Sequence, residues 1–183
     1  MIEVGAAFSS TYAEARIKFL EAAAIAGLQI NSFNHPLLGK DGETLAIDTA
    51  LQLPASGKAS DKLLILSSAC HGVEGYCGSG VQTYALHDAE WLAHARAHDV
   101  TVLYIHALNP YGFSHIRRTT HENVDLNRNF HDFSKPLPVN AAYREVAEML
   151  MPDHWPPNAD NMALLQAYIA KHAYLEKEQV RLD

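Results

Sequence analysis

Three short segments of this 183-residue chain carry residue types that do chemistry. In the first, Ser68-Ala69-Cys70-His71-Gly72-Val73-Glu74-Gly75, an imidazole and a carboxylate stand three residues apart. Gly72 and Gly75 allow the tight backbone through which both could converge on one ion, and zinc accepts that ligand pair readily. As a bare pattern His-x-x-Glu recurs by chance in surface segments; its place just after an apolar run is what raises it here. The second segment is Asn109-Pro110-Tyr111-Gly112-Phe113, followed by Arg117-Arg118, and the third is Asn123-Val124-Asp125-Leu126-Asn127-Arg128-Asn129-Phe130. Read singly, these are a Pro-Gly turn, a solvated arginine pair, and an Asp125/Arg128 pairing that staples a loop. Together they set guanidinium groups and an amide downstream of a candidate metal site, which is what polarising a carbonyl and holding a carboxylate require.

The elements that must position these segments are legible from period and punctuation. Ser9-Ser10-Thr11 with Glu14 reads as a capping box opening an Ala-rich helix over Tyr12 to Ala26, stopped by Gly27. Leu28 to Phe33 and Thr44 to Leu53 read as an antiparallel pair around the turn residues Pro36, Gly39 and Asp41-Gly42. Lys62 to Ser68 and Val100 to Ala107 are almost continuous apolar runs, which suit parallel strands buried on both faces. Ser79 to Ala97 supplies the crossover helix of a β-α-β unit. After a polar stretch up to Asn129, helices are predicted over Asn140 to Met151 and Asp160 to Arg181, the latter with Met162, Leu165, Ile169 and Ala173 on one stripe. The fold class is therefore α/β, a mostly parallel mixed sheet flanked by helices, in one domain spanning 1–183. No parallel strand is predicted after residue 130, so an open hydrophobic edge and a chain incomplete at its C-terminus are expected. Such a truncated sheet should be marginal, homo-oligomeric or aggregation-prone.

Composition removes several function classes. With 14 basic against 21 acidic residues, a net charge of −7, and no basic cluster larger than Arg117-Arg118, the chain lacks the footprint of a nucleic-acid binder. No apolar stretch is long enough for a membrane span, and the start Met1-Ile2-Glu3-Val4 is unlike a secretory signal. Two cysteines, Cys70 and Cys77, form neither a disulfide framework nor a CxxC pair, so a cytoplasmic location is expected.

The order of the three segments resembles the zinc carboxypeptidase superfamily, whose relatives include carboxypeptidase A, succinylglutamate desuccinylase and aspartoacylase. Within it, His-Gly-Val-Glu-Gly and Asn-Val-Asp-Leu-Asn-Arg-Asn-Phe look most like a bacterial branch, and the likeness runs through essentially the whole chain, as the N-terminal portion of the catalytic domain. The resemblance implies a carboxypeptidase-like fold and a zinc-dependent hydrolase cleaving an amide bond next to a free carboxylate, in a small peptide or an N-acyl amino acid. It implies His71 and Glu74 as metal ligands, Arg118 or else Arg117 as the group that stabilises the oxyanion, and Asn127 and Arg128 as holders of the substrate carboxylate.

The family's third ligand, a later His, and its Glu base have no recognisable counterpart here. His131 sits in a loop, His154 in a Pro-rich break, and His172 in mid-helix. His106 and Cys77 are the substitutes considered for the third ligand, each against a structural role. His87, His94 and His98 read as a solvated helix face. A cysteine hydrolase using Cys70 beside His71 is a weaker reading, because triad partners are normally distant in sequence. The alternative to the hydrolase is an inactive remnant or anion-binding module built on Arg118, Asn127 and Arg128.

Overall fold

The structure is a computed structural model that describes residues 2–152 and 156–179, with side chains through His172. The chain divides into two compact units, Met1–Phe130 and His131–Asp183. In the first, a short helix α1 (Val4–Ala7) precedes α2 (Tyr12–Ile25), β1 (Gln29–Leu38), β2 (Thr44–Gln52), β3 (Leu63–Ser67), α3 (Gly72–Leu86), α4 (Ala89–Ala97), β4 (Thr101–His106) and α5 (Pro110–Ser114), and a 3₁₀ turn spans Leu126–Arg128. The second unit contains α6 (Ala141–Leu150) and α7 (Ala159–Gln179).

The ends of α2 follow the sequence closely. The Thr11 hydroxyl accepts from the Glu14 N–H at 3.2 Å while the Glu14 carboxylate accepts from the Ser10 N–H at 3.0 Å, so two orphan donors are satisfied reciprocally. At the other end Gly27, at φ +71, closes a Schellman turn in which the Leu28 N–H donates to Ala23 O.

The sheet order is β1-β2-β4-β3, with β1–β2 and β2–β4 antiparallel and β4–β3 parallel, so the sheet is mixed and not mostly parallel as predicted. The β-α-β unit is present, but its crossover differs from the predicted helix over 79–97. Helix α3 starts at Gly72, and the chain then breaks at His87-Asp88, where the Asp88 carboxylate caps α4 through the N–H groups of Glu90 and Trp91. One face of the sheet packs on helices through Phe19, Ala22 and Ala23 of α2, Leu86 of α3 and Ala95 of α4 against Ala50, Val102 and Tyr104. At the β4 end Tyr12, Leu45, Ala69, Ala107 and Phe113 form a second cluster. There the Tyr12 hydroxyl both donates to Ala46 O and accepts from Ala46 N, and burial pushes its pKa up to about 12.

The predicted burial of β3 on both faces is corrected. It is an edge strand, and Leu63 and Ile65 are 56% and 53% exposed. Its apolar side chains border a cavity of about 410 Å³ that is lined by Ile65, Leu66, Gly78, Val81 and Ala85. An apolar edge strand with unpaired backbone groups is a template for another strand. Sedimentation velocity should therefore show concentration-dependent self-association that Ile65→Lys reduces. A wild-type chain that stays monomeric at every concentration would contradict this.

In the second unit, the Asn140 side chain caps α6 through the Tyr143 N–H, as the helical pattern over 140–151 predicts. On the stripe predicted for α7, Met162 and Ile169 are exposed and Leu165 is half-buried, and the Ala173 side chain lies outside the described residues. Among the described residues, no helix is long and apolar enough to cross a membrane.

Candidate functional site

The two strands of the parallel pair extend their pairing into the loops that follow. Leu108 N–H donates to Ser68 O and Asn109 N–H to Ala69 O, so the chain after β3 and the chain after β4 leave the sheet side by side. Gln82 of α3 clamps this exit, accepting from the Ser68 hydroxyl and donating to the carbonyls of Leu66 and Ile105. The Asn109 side chain caps α5 through the Gly112 N–H at 2.8 Å, with Pro110 at the first helical position. What sequence alone reads as a Pro-Gly turn is this short capped helix.

The glycines of the two segments interlock. Gly72 N–H donates to Arg117 O at 2.9 Å, and Arg117 N–H donates to Gly112 O at 2.8 Å. A Cβ on Gly72 would collide with the carbonyls of Gly112 and Arg117, and one on Gly75 would press on the Phe113 ring. The His-Gly-x-Glu-Gly segment is thus seated directly on Asn109–Arg117.

His71 is the N-cap residue of α3 and Glu74 lies in its first turn, ahead of the helix start predicted at Ser79. The His71 Nε2 sits 2.9 Å from Asp125 Oδ1, and its Nδ1 is 3.7 Å from Glu74 Oε1. Asp125 Oδ2 accepts from Arg118 Nε at 2.8 Å. Hydrogen bonds first from His71 and then from Arg118 hold the Asp125 carboxyl down to about 2, so at neutral pH it only accepts. His71 therefore donates through Nε2–H, and its Nδ1 faces the Glu74 carboxylate. At 3.7 Å these two do not hydrogen-bond directly. Ligands on a tetrahedral zinc stand about 3.3 Å apart, given metal–ligand distances near 2 Å. The His71–Glu74 separation of 3.7 Å is close to that spacing. Among the described residues, no group of three or more His, Cys, Asp or Glu side chains that could hold a metal ion is present.

The local Asp125/Arg128 pairing is not formed. Arg128 turns back to the Asn127 carbonyl, and both residues are exposed on the 3₁₀ turn that Asp125 caps. The structure also separates the two arginines. Arg118 is bound through Nε alone among the described residues and is half-exposed, leaving its Nη atoms available, whereas Arg117 bonds to Thr119 and Asn123 and lies over the Tyr111 ring. Sequence reasoning passed over Asp125 as a partner of His71, since the two are 54 residues apart. The signal that could have found it was an acidic residue in the motif carrying the anion-binding groups.

Neither substitute ligand joins the pair. His106 is wholly buried, stacked on Phe19 and bonded through Nε2 to the Ser79 hydroxyl at 2.8 Å, a core histidine. Cys77 is exposed one turn further along α3. Cys70 borders the site, but burial raises its thiol pKa and the neighbouring Asp125 raises it further, the reverse of what activates a nucleophile. Of the three histidines read as one solvated helix face, His94 and His98 are exposed at α4, whereas His87 is the half-buried C-cap residue of α3. His131 is exposed in a loop, His172 stacks on Tyr168 within α7, and His154 lies outside the described residues.

His106 gives the fold a pH dependence. Burial pushes its imidazole down from 6.5 to about 4, so between these values the unfolded chain holds a proton that the folded one refuses. The contribution is intact above pH 6.5 and is lost as pH falls toward 4, on the order of 3 kcal/mol in all. Denaturant midpoints should drop over that range, with a flatter slope in His106→Gln; equal slopes would contradict the assignment.

The geometry is that of an α/β protein with a His-x-x-Glu pair at the end of a strand and an arginine fixed beside it. Residues 8–180 match a family described as Protein of unknown function (DUF2817), and the chain belongs to that family, itself a member of the zinc carboxypeptidase-like clan. No curated protein matches the sequence. Among solved structures, the chain is similar to Porphyromonas gingivalis glutaminyl cyclase, with 13% identity over 58% of this chain and 48% of that one and a TM-score of 0.33. The chain thus spans about half the length of that protein.

Proposed function

We propose that this chain carries the zinc-binding and anion-binding half of a carboxypeptidase-type hydrolase that cleaves an amide bond next to a free carboxylate. The observation that carries the reading is the His71 Nδ1 facing the Glu74 carboxylate, while Asp125 and Arg118 close the other side of the ring. His71 and Glu74 would hold the metal, and a bound zinc ion supplies a water activated at neutral pH and a Lewis acid for a carbonyl. Arg118, anchored by Nε, presents its Nη atoms to a developing oxyanion. Asn127 and Arg128 offer exposed donors for the carboxylate of a small peptide or an N-acyl amino acid.

Two ligands and no group of three among the described residues also favour a second reading, an anion-binding module without turnover. Zinc-loaded protein assayed on dipeptides and N-acyl amino acids separates the two. The hydrolase reading expects release of the free amino acid, stopped by a chelator, restored by zinc and reduced at least tenfold in Arg118→Ala. Substrate binding with no hydrolysis under any of these conditions supports the module and overturns the hydrolase. Hydrolysis that survives the chelator but not a thiol reagent would return the assignment to Cys70.

A further inference from the structure

We infer that α4 carries a second, independent cation site, in which His94 and His98 form a two-imidazole chelate for a late first-row divalent ion, tightest for Cu²⁺.

Residues four apart on a helix are surface neighbours, and here the two rings lie side by side, with centroids 4.0 Å apart and planes tilted by 33°. Both residues are exposed, so a hydrated ion reaches them directly. The hydrogen bonding of the pair suits a ligand. His98 Nδ1 sits 2.9 Å from the His94 carbonyl, which only accepts, so the neutral ring carries its proton on Nδ1 and keeps its lone pair on Nε2 for a metal. A ring N–H donated to a backbone carbonyl is the support that ligating histidines commonly have. His94 lies in the last turn of α4 and His98 is its C-cap residue, where the helix macrodipole favours a cation. The histidine pair next to Tyr111 lacks this pattern. His35 and His121 have centroids 4.9 Å apart, but their planes stand at 87°, and His35 Nδ1 accepts from the Leu37 N–H, which leaves the ring proton on Nε2.

Two imidazoles with water in the remaining positions match the tetragonal geometry of Cu²⁺, and Cu²⁺ stands above Zn²⁺ in the general affinity order for nitrogen ligands. The pair therefore holds copper, while zinc bound there is lost on dialysis. Its place in the fold separates it from His71 and Glu74. Helix α4 runs into Thr101 at the start of β4, whereas His71 follows the end of β3; because β3 and β4 are parallel, the two sites lie at opposite edges of the sheet.

Glycine-buffered Cu²⁺ titrations of the full chain, read by electron paramagnetic resonance, test the chelate. They are run on His71→Ala protein, so that neither outcome depends on the proposed zinc pair. In that background His94→Ala and His98→Ala should each weaken the tightest Cu²⁺ binding by about 100-fold, since a lone imidazole loses the advantage of two linked ligands. The double variant should bind little more weakly than either single one. Hyperfine structure from two nitrogens should become that of one in each single variant, while His121→Ala changes neither affinity nor spectrum. Both side chains are exposed, and the far-ultraviolet circular dichroism of each variant should match the parent. Unchanged affinity in either single variant, losses that simply add in the double variant, or a two-nitrogen spectrum that survives His94→Ala overturns the inference. An equal loss in His121→Ala also overturns it, by moving the copper to the other histidine pair.

Discussion

Arg16→Ala should cost about 3–5 kcal/mol of folding stability, among the largest single-residue effects in the first unit. The Asp48 side chain is fully buried, and Arg16 grips it in bidentate fashion, Nε to Oδ2 at 2.7 Å and Nη2 to Oδ1 at 3.1 Å, with the Ser32 hydroxyl completing the set. Removing the guanidinium strands a carboxylate in the core beside a single hydroxyl, and the desolvation penalty then has nothing to offset it. Replacing both partners by apolar groups, Arg16→Met with Asp48→Leu, should recover much of the loss, because the penalty disappears together with the attraction. Chemical denaturation of Arg16→Ala and of the double variant measures this. A loss below about 1 kcal/mol in Arg16→Ala would show that water reaches Asp48 and that its burial is not what the packing indicates.

Gly72→Ala should disable the site and destabilise the fold together. Its new methyl would meet the carbonyl groups of Gly112 and Arg117, which are backbone and cannot swing aside as a side chain can. Relief requires the two segments to part, breaking the Gly72–Arg117 hydrogen bond and withdrawing Arg118 from Asp125. Overpacking of this kind costs roughly 1–3 kcal/mol, and here it falls on the contact that seats His71. Gly5→Ala is the control: nothing lies within 4 Å of its added methyl, and in a helix the change should be neutral or slightly stabilising. Thermal melts and zinc titration of both variants test the contrast. Gly72→Ala with wild-type stability and wild-type zinc uptake would mean that the two segments are not locked together.

What could be read from the sequence was what depends on neighbouring residues. The Thr11–Glu14 cap, the Gly27 stop, the β1–β2 hairpin and the parallel β3–β4 pair all rest on local periodicity and turn chemistry, and they stand in the structure. The edge position of β3 was hidden because an apolar run such as Leu63-Leu64-Ile65-Leu66 looks the same whether or not another strand lies beside it. The early start of α3 was hidden by Gly72, Gly75 and Gly78, which depress helix propensity. In the structure Gly72 and Gly75 let backbone and Phe113 approach closely. At the site, the spacing of His71 and Glu74 was enough to nominate them, whereas the choice between Arg117 and Arg118 required Asp125, which joins residues far apart in the chain. The local pairing of Asp125 with Arg128 lost to His71 and Arg118 because the carboxylate at the head of the 3₁₀ turn points across to α3, toward groups already fixed in place.

Metal content tests the central claim most directly. Purified protein, loaded with zinc and exhaustively dialysed, should retain close to one zinc per chain by elemental analysis, with the remaining coordination filled by water or by groups outside the two-residue pair. His71→Ala and Glu74→Ala should each fall to background while keeping a folded spectrum. Zinc at background in the wild type, or retained equally in the wild type and in both folded variants, would contradict the account.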